Sequence, residues 1–318
     1  MRATSVHPGG AGRLDVVEHA PIETWFRVGG GADRLARPRS RDDLRACLEL
    51  DPALRVLGDG ANLLVDDPGV GELVISMDAR EAKEVEIDAG SGLVRARAGA
   101  RLPGLINRCV REGLGGIEAL AGFPASLGGA VVMNAGGAFG EIASVVERVH
   151  AIDRRGDDVT LERREIPFAY RRSGLGPGAL DLILWEVELR LTPGDRGVLD
   201  ARRREVMEYK KSTQPMSENS AGCCFKNPVL HAPLTELGPV GEKVGQRVSA
   251  GLLIDRAGCK GLSIGGARVS EHHANFITTT TDSRARHVID LMGEVARRVH
   301  DAFGVRLERE VVVWERGA

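Results

Sequence analysis

Two segments, GDGANLLVDD at 58–67 and AGFPASLGGAVVMNAGG at 121–137, are too rich in glycine and apolar residues to be ordinary surface loops. Glycine accepts positive φ and lets a backbone come close to a ligand with its N–H groups exposed, which cradles anionic phosphate without a large positive charge. Either segment alone reads equally well as a tight turn between packed strands. The two together fit a diphosphate-bearing cofactor. The usual nucleotide signatures do not apply: no G-x-x-x-x-G-K-[ST] is present, and GDGANL lacks a third glycine and runs into LLV rather than a helix start. An ordinary dinucleotide-binding fold is therefore set aside.

Around these loops the chain to about residue 195 is made of short strands: RVLGDGANLLV, EVEIDAGSGLVRARAGA, VHAIDRRGDDVTLERREI and LILWEVELRLTP. In the last, Trp185, Val187, Leu189 and Leu191 alternate with Glu186, Glu188 and Arg190, the pattern of a half-buried strand. RLPGLINRCVREG predicts a helix with Leu102, Ile106, Cys109 and Val110 as its apolar stripe and Gly113 as its stop. Thr192-Pro193-Gly194 marks a domain boundary, followed by a charged helix, LDARRREVMEYKK. A later helix is expected to be capped by Thr281 or Asp282, lined by Val288, Met292, Val295 and Val299, and ended by Gly304, after which VRLEREVVVWE reads as a strand. The pattern is α+β with mixed sheets. Residues 1–20 read as a loose arm, 21–194 as one domain and 195–318 as another.

A formal net charge of -2 with no dense basic run gives no electrostatic case for nucleic acid. No apolar run reaches the ~20 residues that span a bilayer. Five cysteines without a framework and an N-terminus without an apolar signal core point to a reducing, cytoplasmic setting. Two of the cysteines are adjacent, in NSAGCCFKNP at 219–228. A disulfide between them is disfavoured, since neighbouring Cα atoms lie ~3.8 Å apart and disulfides want roughly 4.4–6.8 Å. Cys47, Cys109 and Cys259 are scattered singly, so no metal site is indicated. If the stretch is extended, Cys223 and Phe225 share one face, and Cys224 and Lys226 the other.

TWFRVGGGADRLARP, VLGDGANLLV, GLGGIEALAGFPASLGGAVVMNAG, FAYRRSGL, SAGCCFKNP, GLLIDRAGCKGLSIGGARVSEHHANF and GVRLEREV follow one another in this chain. Each resembles a block of the UDP-N-acetylenolpyruvoylglucosamine reductase family, flavoenzymes of peptidoglycan precursor synthesis, and the resemblance covers about residues 22 to 314. The interval from Tyr170 to Thr192-Pro193 is short, so the chain resembles the branch without an extra tyrosine-bearing substrate loop. The resemblance implies a vanillyl-alcohol-oxidase (PCMH-type) FAD-binding domain of two α/β subdomains plus a C-terminal α+β substrate domain, with the last strand returning toward the FAD domain. It implies non-covalent FAD, NADPH as co-substrate, UDP-N-acetylglucosamine enolpyruvate as substrate and a monomer.

By the same resemblance Gly58, Gly60, Ala61, Asn62, Gly128 and Gly129 lie against the FAD pyrophosphate with Asn134 nearby. Ala61 stands where the family usually has serine, and Ala125 where it usually has glycine. The family's reaction sends hydride from flavin N5 to C3 of the enolpyruvyl group and a proton to C2. Arg171 matches the arginine on the carboxylate and Glu310 the glutamate grouped with it, here after Arg309 instead of the usual proline. On a regular strand Glu310 would share a face with Val312 and Trp314, in surroundings able to raise its pKa. Cys223 takes the place of the proton-donating serine. A thiol is mostly protonated at neutral pH and is a better acid than an alcohol. Tyr170, Lys211, Asn227 and Lys260 match substrate anchors. The rival enzyme reading is another FAD-linked oxidase or dehydrogenase of the same superfamily, which would not share SAGCCFKNP, KGLSIGG and LEREV; the non-enzyme rival is a flavin-binding or interaction protein that lost the chemistry, against which Arg171, Glu310 and a protic residue at Cys223 count.

Overall fold

The apolar alternation of LILWEVELR places Ile183–Arg190 at the centre of a five-stranded antiparallel sheet, in the order Asp158–Glu162, Val146–Ile152, Ile183–Arg190, Leu93–Arg97, Val85–Asp88. This computed structural model describes residues 3–6 and 14–317. They fall into two compact units. The first runs to Ala20 and resumes over Ala32–Asp59 and Gly71–Lys210; the second comprises Pro21–Gly31, Gly60–Val70 and the chain from Lys211.

A second five-stranded sheet of the first unit orders Ala3–Val6, Leu14–Ala20, Ala32–Ala36, Val70–Ser76 and Arg55–Leu57, the last two parallel. The expected loose arm is thus strand at 3–6 and again from Leu14, while residues 7–13 lie outside those described. Leu14, Val16 and Ala20 are buried. The run from Glu18 to His19, with His19 at φ 51, breaks the period that would have betrayed the strand. Helices Arg41–Leu50 and Leu102–Arg111 bury Leu44, Leu48, Leu105, Ile106 and Cys109 in one core with Val94, Val149, Val187 and Leu189 from the strands. Gly113, at φ 72, follows the second helix as expected. The charged helix is Arg196–Thr213, and it stays with the first unit as far as Lys210, well past the break in composition at 192–194.

The polar side of Ile183–Arg190 is buried at its middle residue, with Glu186 half-buried and Arg190 exposed. Glu188 is only 5% exposed, with Arg95 at 3.3 Å, Arg148 at 3.0 Å and His150 at 3.3 Å on its two carboxylate oxygens. Long cations on the neighbouring strands fold over it. Burial works to raise the Glu188 pKa, yet hydrogen bonds from His150 and Arg95 and the charge of Arg148 outweigh it and hold the carboxyl below its ordinary value.

The second unit packs helix Ala285–Phe303 and the short helix Ala250–Arg256 with a three-stranded sheet of Ser263–Ile264, Ala267–Val269 and Ile277–Thr279. Its core draws on all three stretches of chain, for Phe26 and Leu64 are buried with Phe225, Leu253, Val269, Ile277, Leu291 and Val295. The long helix ends at Gly304, φ 67, as expected, but it starts later than Thr281 or Asp282 would place it. Its first residues, Ala285 and Arg286, donate their N–H groups to the two carboxylate oxygens of Asp67 at 3.0 and 3.1 Å. Thr280 and Ser283 instead close a turn ahead of it. The terminal strand is shorter than read: only Val312–Trp314 is regular, parallel to Leu63–Val65. Before it Arg309 makes an isolated bridge with Phe225, and the N–H groups of both Glu310 and Val311 point at one carbonyl, Cys224 O, at 2.8 and 3.5 Å. Two residues facing one is the geometry of a bulge, so the regular alternation expected for Glu310 does not hold.

Candidate active site

The first glycine segment begins in the first unit, where Gly58 lies against the second segment, and passes into the second unit from Gly60. A Cβ on Gly58 would lie 2.3 Å from Ser126 Oγ, and one on Gly128 would lie 2.9 Å from the Ala98 Cβ. At Gly60, φ +63, a Cβ would strike Glu23 O at 2.3 Å. These positions need glycine for packing, irrespective of any ligand. Their N–H groups divide. Gly128 donates to Ala98 O at 2.7 Å and Gly129 to Ser126 Oγ at 3.3 Å, whereas those of Gly58, Asp59, Gly60 and Ala61 meet no acceptor among the described residues. Four consecutive unpaired N–H groups suit a pyrophosphate, so the loop fits FAD through its backbone. Ala61 in place of serine does not alter that. Ser126, which joins the two loops, carried no sequence signal beyond its place before a helix.

Asn134, Tyr170 and Arg171 come together in the first unit. Ala169 and Arg172 exchange backbone hydrogen bonds of 2.7 and 3.0 Å around a two-residue turn, with Arg171 at φ 55. Asn134, 1% exposed, donates to Ala169 O at 3.0 Å and accepts from Ala143 N at 3.3 Å. Both ends of its amide are thus committed to the chain. Arg171 donates to Gly136 O at 2.6 Å, and its guanidinium carbon lies 5.4 Å from the centre of the Tyr170 ring.

The second unit gathers Asn62, Cys223 and Glu310. Cys223 pairs with Phe276 and is half-buried, whereas Cys224 is fully buried. Burial, aided by the charge of Glu310, pushes the Cys224 thiol up to about 12. Glu310 reaches Cys224 O through its N–H, and its own carbonyl accepts from Asn62 Nδ2 at 3.0 Å. Asn62 O in turn accepts from Val312 N at 3.1 Å. The end of the glycine loop is therefore sewn to the segment carrying Glu310.

Residues 214–314 match the UDP-N-acetylenolpyruvoylglucosamine reductase C-terminal domain, and residues 32–162 match an FAD binding domain. The chain is similar to the UDP-N-acetylenolpyruvoylglucosamine reductase of Moorella thermoacetica, 38% identical over 311 residues spanning 96% of this chain and 95% of that one. It is 41% identical to the like-named protein of Syntrophobacter fumaroxidans over 94% of this chain and 85% of the other. The chain belongs to the UDP-N-acetylenolpyruvoylglucosamine reductase family. The crystal structure of the Thermus caldophilus UDP-N-acetylenolpyruvylglucosamine reductase superposes with a TM-score of 0.75 at 38% identity, covering 95% of this chain and 99% of that one. The fold is accordingly the family's α+β FAD-binding fold with its C-terminal domain.

The residues matched to the reductase family's substrate anchors sit in different settings. Asn227 Oδ1 accepts from Ala250 N at 2.9 Å, starting the helix there, and Lys260 pairs with Asp255 at 3.0 Å. Lys211 is exposed near the end of its helix. Beside it Lys210 is buried, with Nζ 3.2 Å from the centre of the Phe123 ring in the second glycine segment. Sequence reasoning passed over Lys210, since two adjacent lysines in a charged helix look alike until the helix's inward face is known.

Proposed function

We propose that this protein reduces UDP-N-acetylglucosamine enolpyruvate to UDP-N-acetylmuramate with NADPH, as a cytoplasmic monomer serving peptidoglycan precursor synthesis. The open N–H groups of residues 58–61 would hold the pyrophosphate of a non-covalent FAD, which when bound would supply the two-electron chemistry between NADPH and the enolpyruvyl group. Arg171 holds the substrate carboxylate through its planar fork, and the Tyr170 ring and the Gly136 carbonyl keep that guanidinium in place. Cys223 places the proton on C2, and Glu310 stabilises the enolic charge arrangement with Arg171. Tyr170, Lys211, Asn227 and Lys260 are proposed as substrate anchors. Asn134 serves the site by holding the turn that carries Tyr170 and Arg171.

The observation that carries this reading is the hydrogen bond from Glu310 N to Cys224 O, which ties the main chain of the proposed stabilising residue to the proposed proton donor's own segment while Cys224 is sealed in the core. No helix is long and apolar enough to cross a membrane among the described residues. The test is direct. Purified protein should be yellow, be bleached anaerobically by NADPH, regain its colour on addition of the enolpyruvyl substrate, and release its flavin on acid precipitation. Flavin that stays with the precipitate, or bleaching by an alcohol or hydroxy acid in place of NADPH, would favour the oxidase reading.

A further inference from the structure

Cys223 follows Gly222, which sits at φ +80 with open space where a Cβ would be. Packing at that glycine therefore does not fix the direction of the thiol. The segment is gripped on its other side, by Asn275. This residue is 2% exposed, and its side-chain amide spans the backbone of Phe225: Phe225 N donates to Oδ1 at 3.0 Å and Nδ2 donates to Phe225 O at 2.8 Å. Its main-chain carbonyl accepts from Cys224 N at 2.8 Å, and Phe276 after it bridges Cys223. Its own N–H goes to His273 Nδ1 at 3.2 Å. One side chain thus stands in for a strand neighbour, satisfying a donor and an acceptor that would otherwise be buried unpaired. Cys224 O, on the same gripped segment, receives Glu310 N.

We infer that Asn275 is a positioning residue: by clamping Phe225 it fixes which way Cys223 faces and where Glu310 stands relative to it. The inference rests on the proposed roles of Cys223 and Glu310. Only an amide does this, since Asn275→Asp keeps the acceptor for Phe225 N but sets a carboxylate against Phe225 O.

The experiment uses the flavin-loaded protein in stopped flow. In Asn275→Asp, NADPH should bleach the flavin at the normal rate. Recolouring by substrate should reach a limiting rate on the order of 10²-fold lower, as a misplacement of about 1 Å produces, with the half-saturating substrate concentration little changed. Introduced into Cys223→Ala, the same change should add little further slowing, because both act through one proton. Peptide mapping after alkylation of the flavin-free protein should also show Cys224, unreactive in the parent, becoming reactive. A wild-type limiting rate in folded Asn275→Asp, or a full additional loss in the Cys223→Ala background, overturns the inference. Should Asn275→Asp not fold, Asn275→Gln, which keeps donor and acceptor on a longer arm, carries the same expectations. If neither folds, Asn275 is a stability residue and the inference fails. The parent reading fails separately, by normal recolouring in Cys223→Ala alone.

Discussion

Cys223 and Cys224 share a side chain and differ in surroundings, one half-buried against Phe276 and the other fully enclosed. Cys223→Ser should therefore remain active, since a hydroxyl can still give a proton, while Cys223→Ala should be reduced by NADPH normally and reoxidised by substrate about 10²–10⁴-fold more slowly. Cys224→Ala should leave both half-reactions near normal and cost about 1–2 kcal/mol in urea unfolding. The reverse pattern would shift the assignment by one residue. Arg171→Lys keeps the charge and loses the fork, so the substrate half-reaction should slow by about 10²–10³-fold with flavin bleaching intact; an unchanged rate would put the carboxylate elsewhere. Strand alternation made the opposed facing of the two thiols legible. The amides of Asn62, Asn134 and Asn227 were not legible in that way: each holds a backbone group, of Glu310, Ala169 and Ala250 respectively, distant in sequence, and no local pattern distinguishes such an amide from one that meets a ligand.

At the scale of elements, long amphipathic runs were read with little error and their beginnings were not. The helix Ala285–Phe303 shows its apolar stripe plainly, yet the carboxylate at its start comes from Asp67, across more than half the chain. Asp67→Ala should therefore destabilise the protein by about 1 kcal/mol, as loss of a capping side chain does, whereas Asp282→Ala should be close to neutral; equal effects in urea titrations would return the cap to the local residue. The strand Ile183–Arg190 was legible in its alternation, but the burial of Glu188 depends on Arg95, Arg148 and His150 from adjacent strands. Because the folded-state pKa of Glu188 lies below its unfolded value, its contribution is complete above the unfolded pKa, about 4.3, and fades as pH falls through the folded one. Glu188→Gln should cost about 1–3 kcal/mol at pH 7, and the gap from the parent should narrow below about pH 4. A gap that is constant with pH would mean that the network carries no net charge coupling.

Over the whole molecule the seven ordered blocks identified the family, and the composition break at 192–194 suggested where one domain gives way to another. The second unit nevertheless takes in Pro21–Gly31 and Gly60–Val70, which no composition shift marks because they are short and flanked by strands of the first unit. Their part is not peripheral. Phe26 and Leu64 are wholly buried in the second unit's core, Thr279 Oγ1 hydrogen-bonds Phe26 O, and Leu63–Val65 is the strand beside which Val312–Trp314 runs. Removing a buried Phe or Leu side chain typically costs about 2–5 kcal/mol, and a domain has only about 5–15 kcal/mol to lose. A fragment of residues 195–318, cut where the composition changes, lacks both side chains and the strand partner. It should show no cooperative thermal transition, bind a hydrophobic dye such as ANS, and be digested rapidly under conditions that leave the intact chain whole. Supplying a peptide of residues 56–72 in trans should recover part of the protection, since it restores Leu64, the strand and the Asp67 carboxylate together. A fragment that melts cooperatively by itself, near the temperature of the full chain, would show that the second unit closes its core without the two borrowed segments.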